Sequence, residues 1–89
     1  MDKELEQIAG IGRAIEIQGK MLKVSPLRLR DMIALSQYED GHIPIEVRGY
    51  SVFLHLRENP EITLENVLDM ELADITKIIE FCDAVLYPE

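Results

Sequence analysis

The side chains with the widest chemical reach in this chain are His42, His55 and Cys82, which would make a zinc site or an activated nucleophile only at suitable spacing. The two histidines are thirteen residues apart with the cysteine far downstream, a pattern that matches no zinc-ligand spacing. His42 reads as a loop residue and His55 as a residue on a helix face. Cys82 lies among apolar partners without electropositive neighbours, the setting of a buried, inert thiol. Gly10-Ile11-Gly12 lacks the third glycine of a dinucleotide loop and the Gly-Lys-Ser/Thr ending of a P-loop, and it precedes a strand instead of opening a helix. No Ser, His and Asp set has the local context of a hydrolytic triad. The expectation is a protein with no catalytic residue, no metal and no cofactor, which works by binding.

Composition narrows the class of partner. At 89 residues, 47% hydrophobic and 29% charged, the chain fits one small globular domain and excludes a two-domain cofactor enzyme. Net charge is −8 and the isoelectric point near 4.6, so long-range electrostatics disfavour nucleic acid. One cysteine cannot form an internal bridge, and no apolar stretch approaches the ~20 residues that span a bilayer. The polar start, Met1-Asp2-Lys3-Glu4, has no signal-peptide core, and the expected compartment is a reducing cytoplasm. A core this small leaves little stability in reserve, which favours a partner or self-association.

The charge is also segregated. From Arg13 to Arg30, five basic residues face Glu16 alone, and from Glu58 to Glu89, nine acidic residues face Lys77 alone. A basic front and an acidic rear favour head-to-tail contact between copies, although solvated faces can segregate in the same way.

The elements that must position these residues read as mainly α, a small helical domain of about four helices with one N-terminal β-hairpin. Residues 1–12 read as a short or frayed helical segment and 13–89 as the single domain. The hairpin spans 13–24, with Gly19-Lys20 as a type II′ loop that pairs Ile17 with Leu22, Glu16 with Lys23 and Ile15 with Val24. Ile15, Ile17, Leu22 and Val24 then share one face, which needs helices beneath it. Ser25-Pro26 signals a helix over 26–38, with serine as cap and proline in the first turn. Leu29, Met32, Ile33 and Leu35 follow at helical spacing.

Arg28 and Arg30 are cations where the helix dipole disfavours them, which points to a local carboxylate such as Asp31 or to a contact surface. Residues 44–58 alternate in part like a strand, but Pro44, the run Leu54 to Glu58 and the stop at Asn59-Pro60 favour a helix. Gly49 in its middle implies a local cost of about 1 kcal/mol or close helix packing. Thr63 caps a short helix over 63–69, and the last helix covers 71–86.

That last helix carries Leu72, Ile75, Ile79, Cys82 and Leu86 at helical spacing, and Ile78, Phe81 and Val85 widen its apolar arc to about half the circumference. An ordinary surface helix needs a stripe a little over ~100° wide. The surplus edge, Ile78, Phe81 and Val85, is therefore expected to contact a client or a neighbouring subunit, with Arg28 and Arg30 facing an acidic neighbour. The alternative is a helix placed centrally and covered from two sides.

The order of these features resembles the small tail assembly chaperones of long-tailed bacteriophages. The resemblance is carried by the basic hairpin followed by Ser25-Pro26-Leu27-Arg28-Leu29-Arg30-Asp31-Met32, by the run from Phe53 through Asn59-Pro60 to Leu68, and by the closing helix from Leu72 to Leu86, over roughly residues 13 to 86. It implies a non-enzymatic helper, a short form encoded by a phage or prophage, that binds and solubilises the tape-measure protein during tail morphogenesis. The tail-tube protein is a second candidate partner, and the helper is expected in the host bacterial cytoplasm and not in the mature virion. Family members tend to form homo-oligomers and are often made in a frameshift-extended form as well. Two other readings stand beside it: a small DNA-binding regulator using the basic segment 13–30, and a minor structural virion protein.

Overall fold

The computed structural model describes residues 13–87. Residues 1–12, read above as a short helical segment, lie outside the described residues. The chain is a small, mainly α domain that opens with a two-stranded antiparallel hairpin, β1 (Ala14–Ile17) and β2 (Lys20–Lys23). Four helices follow among the described residues: α1 (Leu29–Glu39), α2 (Pro44–His55), α3 (Leu64–Leu68) and α4 (Leu72–Val85). Residues 44–55 are thus helical, as the proline start and helix formers predict, and the helix stops three residues short of Glu58.

The hairpin turns one residue earlier than the Gly19-Lys20 loop predicts. Gln18 and Gly19 are the two loop residues, both at positive φ (54° and 80°), which is the backbone of a type I′ turn with glycine in second place. Ile15 therefore pairs with Leu22, Glu16 with Met21 and Ile17 with Lys20. The strands have slid by two residues, and a slide of two leaves every side chain on its original face. Ile15, Ile17, Leu22 and Val24 are accordingly all buried, as expected from either register.

The hairpin's apolar face lies on α4. Lys77 donates to the Glu16 carbonyl at 3.0 Å and Gln18 to the Asp74 carboxylate at 3.0 Å, so α4 is pinned along one flank by β1. Its other flank packs on α2. Ile78 between them is 0% exposed, and Ile75 and Cys82 are buried beside it. The core is completed by Val52 and Leu56 from α2 and Val67 from α3.

The first helix starts later than Ser25-Pro26 suggests. Ser25 does not cap it. Its amide donates to the His55 carbonyl at 2.8 Å and its hydroxyl to the Glu58 carboxylate, so the residue closes the C-terminal end of α2 instead. The chain then runs extended to Arg28, whose amide donates to the Asp31 carboxylate at 2.8 Å, and Asp31 performs the capping from inside the first turn. On α1, at 100° per residue, Asp31, Ala34, Leu35 and Tyr38 share the side toward α2, and Leu29 and Ile33 fall on the far side. Asp31 is the one buried residue of this helix.

Polar side chains join and cap these elements. Asn59, 6% exposed, accepts from the Lys23 amide at 3.0 Å and donates to the Lys23 carbonyl at 2.8 Å and the Leu56 carbonyl at 2.9 Å. It therefore extends β2 and ends α2 at once. Thr63 and Asn66 form the reciprocal cap that starts α3, Oγ1 accepting from the Asn66 amide at 3.1 Å and Oδ1 from the Thr63 amide at 2.9 Å. Gly49 faces α3, and a Cβ there would lie 3.4 Å from Leu68 Cδ2, ordinary contact with the end of an exposed side chain, so packing does not demand glycine at this mid-helix position.

Candidate interaction surfaces

The contact residues expected on the last helix are redistributed by this packing. Ile78 is a correction: it is sealed in the core, because the hairpin covers the flank of α4 that α2 leaves free. Phe81 is half-buried against the same core. Val85 alone of the three is exposed, at 37%, at the last residue of α4. The wide apolar arc is used on two sides within one chain.

Arg28 and Arg30 part company. Arg28 Nε lies 3.3 Å from Asp31 Oδ2, so its acidic neighbour is within its own helix. Arg57, from the turn after α2, approaches the same oxygen at 3.2 Å and also donates to the Pro26 carbonyl at 2.8 Å. Burial pushes the Asp31 carboxyl up, but the Arg28 amide and the two guanidinium groups outweigh it and hold the group below the ordinary carboxylate range. Arg30 is exposed and makes no ion pair among the described residues.

The histidines occupy two different aromatic settings. His42, in the turn after α1, stacks on Tyr38 at 3.8 Å and 9°, and Tyr38 stacks in turn on Tyr50 at 4.2 Å and 13°. His42 Nδ1 also lies 2.6 Å from the Tyr38 carbonyl, which it serves as donor. This ladder, together with the Asp31 cluster, fastens α1 to α2 at both ends. His55 is buried, with Nδ1–H donating to the Ser51 carbonyl at 2.8 Å. Its Nε2 accepts from the Tyr87 hydroxyl at 3.1 Å, and that hydroxyl accepts from the Leu27 amide at 2.8 Å. The chain of donors is complete only for neutral imidazole. Burial is the main cause that lowers its pKa below 6.5, with Arg57 adding to it against the Ser51 carbonyl, Asp31 and Asp83.

Cys82 is a buried thiol whose pKa is raised to about 11 by burial and by Asp83, far from the range of a reactive thiolate. Among the described residues no three of His, Cys, Asp and Glu come together as a metal-holding group, and no helix is long and apolar enough to cross a membrane.

What the fold does build is concave and apolar. A groove of about 560 Å³ runs between α2 and α4. Its wall on α2 is Pro44, Val47, Arg48, Ser51, Val52 and His55, positions that recur once per turn along the whole helix. Ile79, Cys82 and Asp83 form the opposite wall, and Glu39 and His42 close one end. A second, smaller hollow of about 190 Å³ lies where α2, α3 and the start of α4 meet, with Ile45, Leu68 and Leu72 at its mouth.

Neither concavity was legible in the sequence, where Val47 and Ile79 count only as members of amphipathic stripes. A groove needs two helices at a particular separation, and one-dimensional spacing carries no such information. Asp31 is legible as a local partner for the arginines, but the convergence of Arg57 from 26 residues away is not. Comparison with known proteins adds no relative: no family model, no curated protein and no solved structure matches the chain.

Proposed function

We propose that this protein is a non-enzymatic tail assembly chaperone of a phage or prophage, which binds helical segments of the tape-measure protein and keeps them soluble during tail assembly. The observation that carries this reading is the groove between α2 and α4. Its lining follows α2 for its full 12-residue length, so a client helix laid alongside can place apolar residues on Pro44, Val47 and Ile79, with buried Val52 and Cys82 beneath them. Arg48, Glu39 and Asp83 on the rim supply charges of both signs that set register without deepening the apolar contact. The net charge of −8 keeps a chaperone with open apolar surface in solution.

The DNA-binding reading draws less support. Of the basic residues in 13–30, Lys20 lies 3.5 Å from Glu61 and Arg28 is tied to Asp31, so two of the five already face carboxylates. A virion-subunit role predicts the chain in purified particles, and a chaperone role predicts its absence there.

The test is co-expression with a tape-measure protein encoded beside it. The client is expected to become soluble and to co-purify. Val47→Asp with Arg48→Glu places charge on the half-buried wall of the groove and is expected to abolish that solubility while the variant keeps its helical circular dichroism. A folded groove variant that solubilises the client as well as the unmodified chain would refute the assignment.

A further inference from the structure

We propose that the groove between α2 and α4 selects client helices that carry a basic, an acidic and a basic residue at successive turns beside their apolar face, and that it holds them in one register. This selection rests on the groove reading above and names the class of segment the groove takes. Three charged side chains on the groove are left without a partner inside the chain. Glu39, Arg48 and Asp83 all line it, all are exposed, and none makes an ion pair among the described residues. By contrast, the carboxylates of Asp31, Glu46, Glu58 and Asp74 are each taken up by a donor within the fold.

The order of these charges follows from how the two helices lie. Helices α2 and α4 run side by side in the same direction: Ile45 near the start of α2 shares a hollow with Leu72 and Ile75, and His55 at its end bonds Tyr87 just past the end of α4. Asp83, one turn before Tyr87, is thus level with Ser51, one turn before His55. Glu39 closes the groove at its other end, with Pro44. Along α2 the groove therefore reads acidic beside Pro44, basic at Arg48 and acidic beside Ser51, in steps of ~5 Å, close to one helical turn.

Apolar contact alone leaves the register of a client open. The lining of α2 recurs once per turn, so a helix slid by one turn meets a similar wall. Charges that alternate at the same period remove that freedom. A slide of one turn sets like against like, and attraction becomes repulsion. The complementary segment carries Lys or Arg, then Asp or Glu, then Lys or Arg at i, i+4 and i+7. Neighbours along that strip are opposite in sign, so they also support the segment's own helix before it docks.

The test uses the purified full chain and synthetic helical peptides in fluorescence anisotropy at physiological ionic strength, where a Debye length of ~8 Å screens the net charge. The probe peptide has an apolar stripe with Lys, Glu and Lys at i, i+4 and i+7 beside it. That order of signs reads the same from either end, so the direction of docking does not change the match. Replacing the central Glu by Lys is expected to weaken binding about tenfold, and Arg48→Glu in the chain is expected to weaken the original peptide by a similar factor. The two changes together should restore binding to within a few-fold. Lys23→Glu makes the same change of charge at an exposed residue of β2 that lines no part of the groove, and is expected to restore nothing.

Restoration is the decisive arm. Its absence with Arg48→Glu, or equal restoration with Lys23→Glu, overturns the charge register. Two peptides that bind the unmodified chain equally and are both lost on Val47→Asp overturn the register too, and leave the groove reading intact. Binding that ignores Val47→Asp in a chain with unchanged circular dichroism, or no binding of either peptide, overturns the groove reading and the register with it.

Discussion

Helices α1 and α4 carry apolar residues at similar helical spacing and meet opposite fates. Three residues of α4 are buried, and its centre, Ile78, has no solvent exposure at all because β1 lies on one flank and α2 on the other. In α1 the buried residue is a carboxylate, and three large aliphatics face outward. The difference teaches that the width of an apolar arc states how much surface would gain from cover, and the neighbours decide whether cover arrives. Among the described residues α4 packs chiefly on two elements and α1 on one. The first is held by burial. The second is held by half-buried Ala34 and Leu35, an aromatic ladder and a charge cluster, and leaves its outer aliphatics exposed.

The sharpest way to break this contrast is a matched pair of truncations. Ile78→Ala should destabilise by about 3–4 kcal/mol in urea denaturation, and Ile33→Ala by less than about 0.5 kcal/mol. Equal costs would mean that α1 is packed on its outer side. Next in size is the anchor of α1. Asp31→Ala leaves Arg57, whose side chain is 25% exposed, without its charge and removes the cap of the Arg28 amide, and should cost about 2–3 kcal/mol. Arg28→Ala, half exposed, should cost under about 1 kcal/mol.

Acid should loosen the joint between α1 and α2 before it reaches the body of the fold. The folded-state pKa of His55 is lowered, so the neutral ring's contribution is complete above pH 6.5 and is lost as pH falls from 6.5 toward the folded value. The Asp31 carboxyl is also lowered, so its contribution is complete above about 3.8 and is lost as pH falls through its folded value. Hydrogen exchange at pH 5.5 should therefore show faster exchange in α1 than at pH 7.5, after correction for intrinsic rates, with α4 little changed. Tyr87→Phe removes the hydroxyl between His55 and the Leu27 amide, should cost about 1 kcal/mol at neutral pH, and should flatten the limb below 6.5. The smallest effect has the opposite sign. Gly49→Ala should raise stability by about 0.5–1 kcal/mol, because the added methyl meets only the outer end of Leu68 at ordinary contact distance and the helix gains propensity. A loss in place of this gain would show that the hollow is packed more rigidly than the exposed Leu68 suggests.

Much of the fold could be read along the chain. The hairpin faces, the helix over the proline start at Pro44, the Thr63 cap and the closing helix are local matters, set by spacing, turn residues and caps within a few positions. The hairpin register and the start of α1 were less legible for a reason of the same scale. Gly19 can serve as first or second residue of a two-residue turn, and Ser25 is as able to close a helix end elsewhere as to open its own. The candidate surfaces were hardly legible. The stripe Leu29, Met32 and Ile33 and the set Asp31, Ala34, Leu35 and Tyr38 are both possible inner faces of one helix, and the choice falls to Arg57 and Tyr50, from another helix and its exit turn.

By itself the sequence determined a small, acidic, mainly α domain with a hairpin, because those properties sum over residues or repeat at short range. It also determined that more apolar arc existed than one ordinary surface helix needs. Only the tertiary structure decided where the excess went, moving it from Ile78 to the outer face of α1 and the hollow beside Gly49. The physical reason is that burial is a property of pairs of surfaces: the free energy of hiding a side chain depends on a neighbour that spacing along one helix does not name.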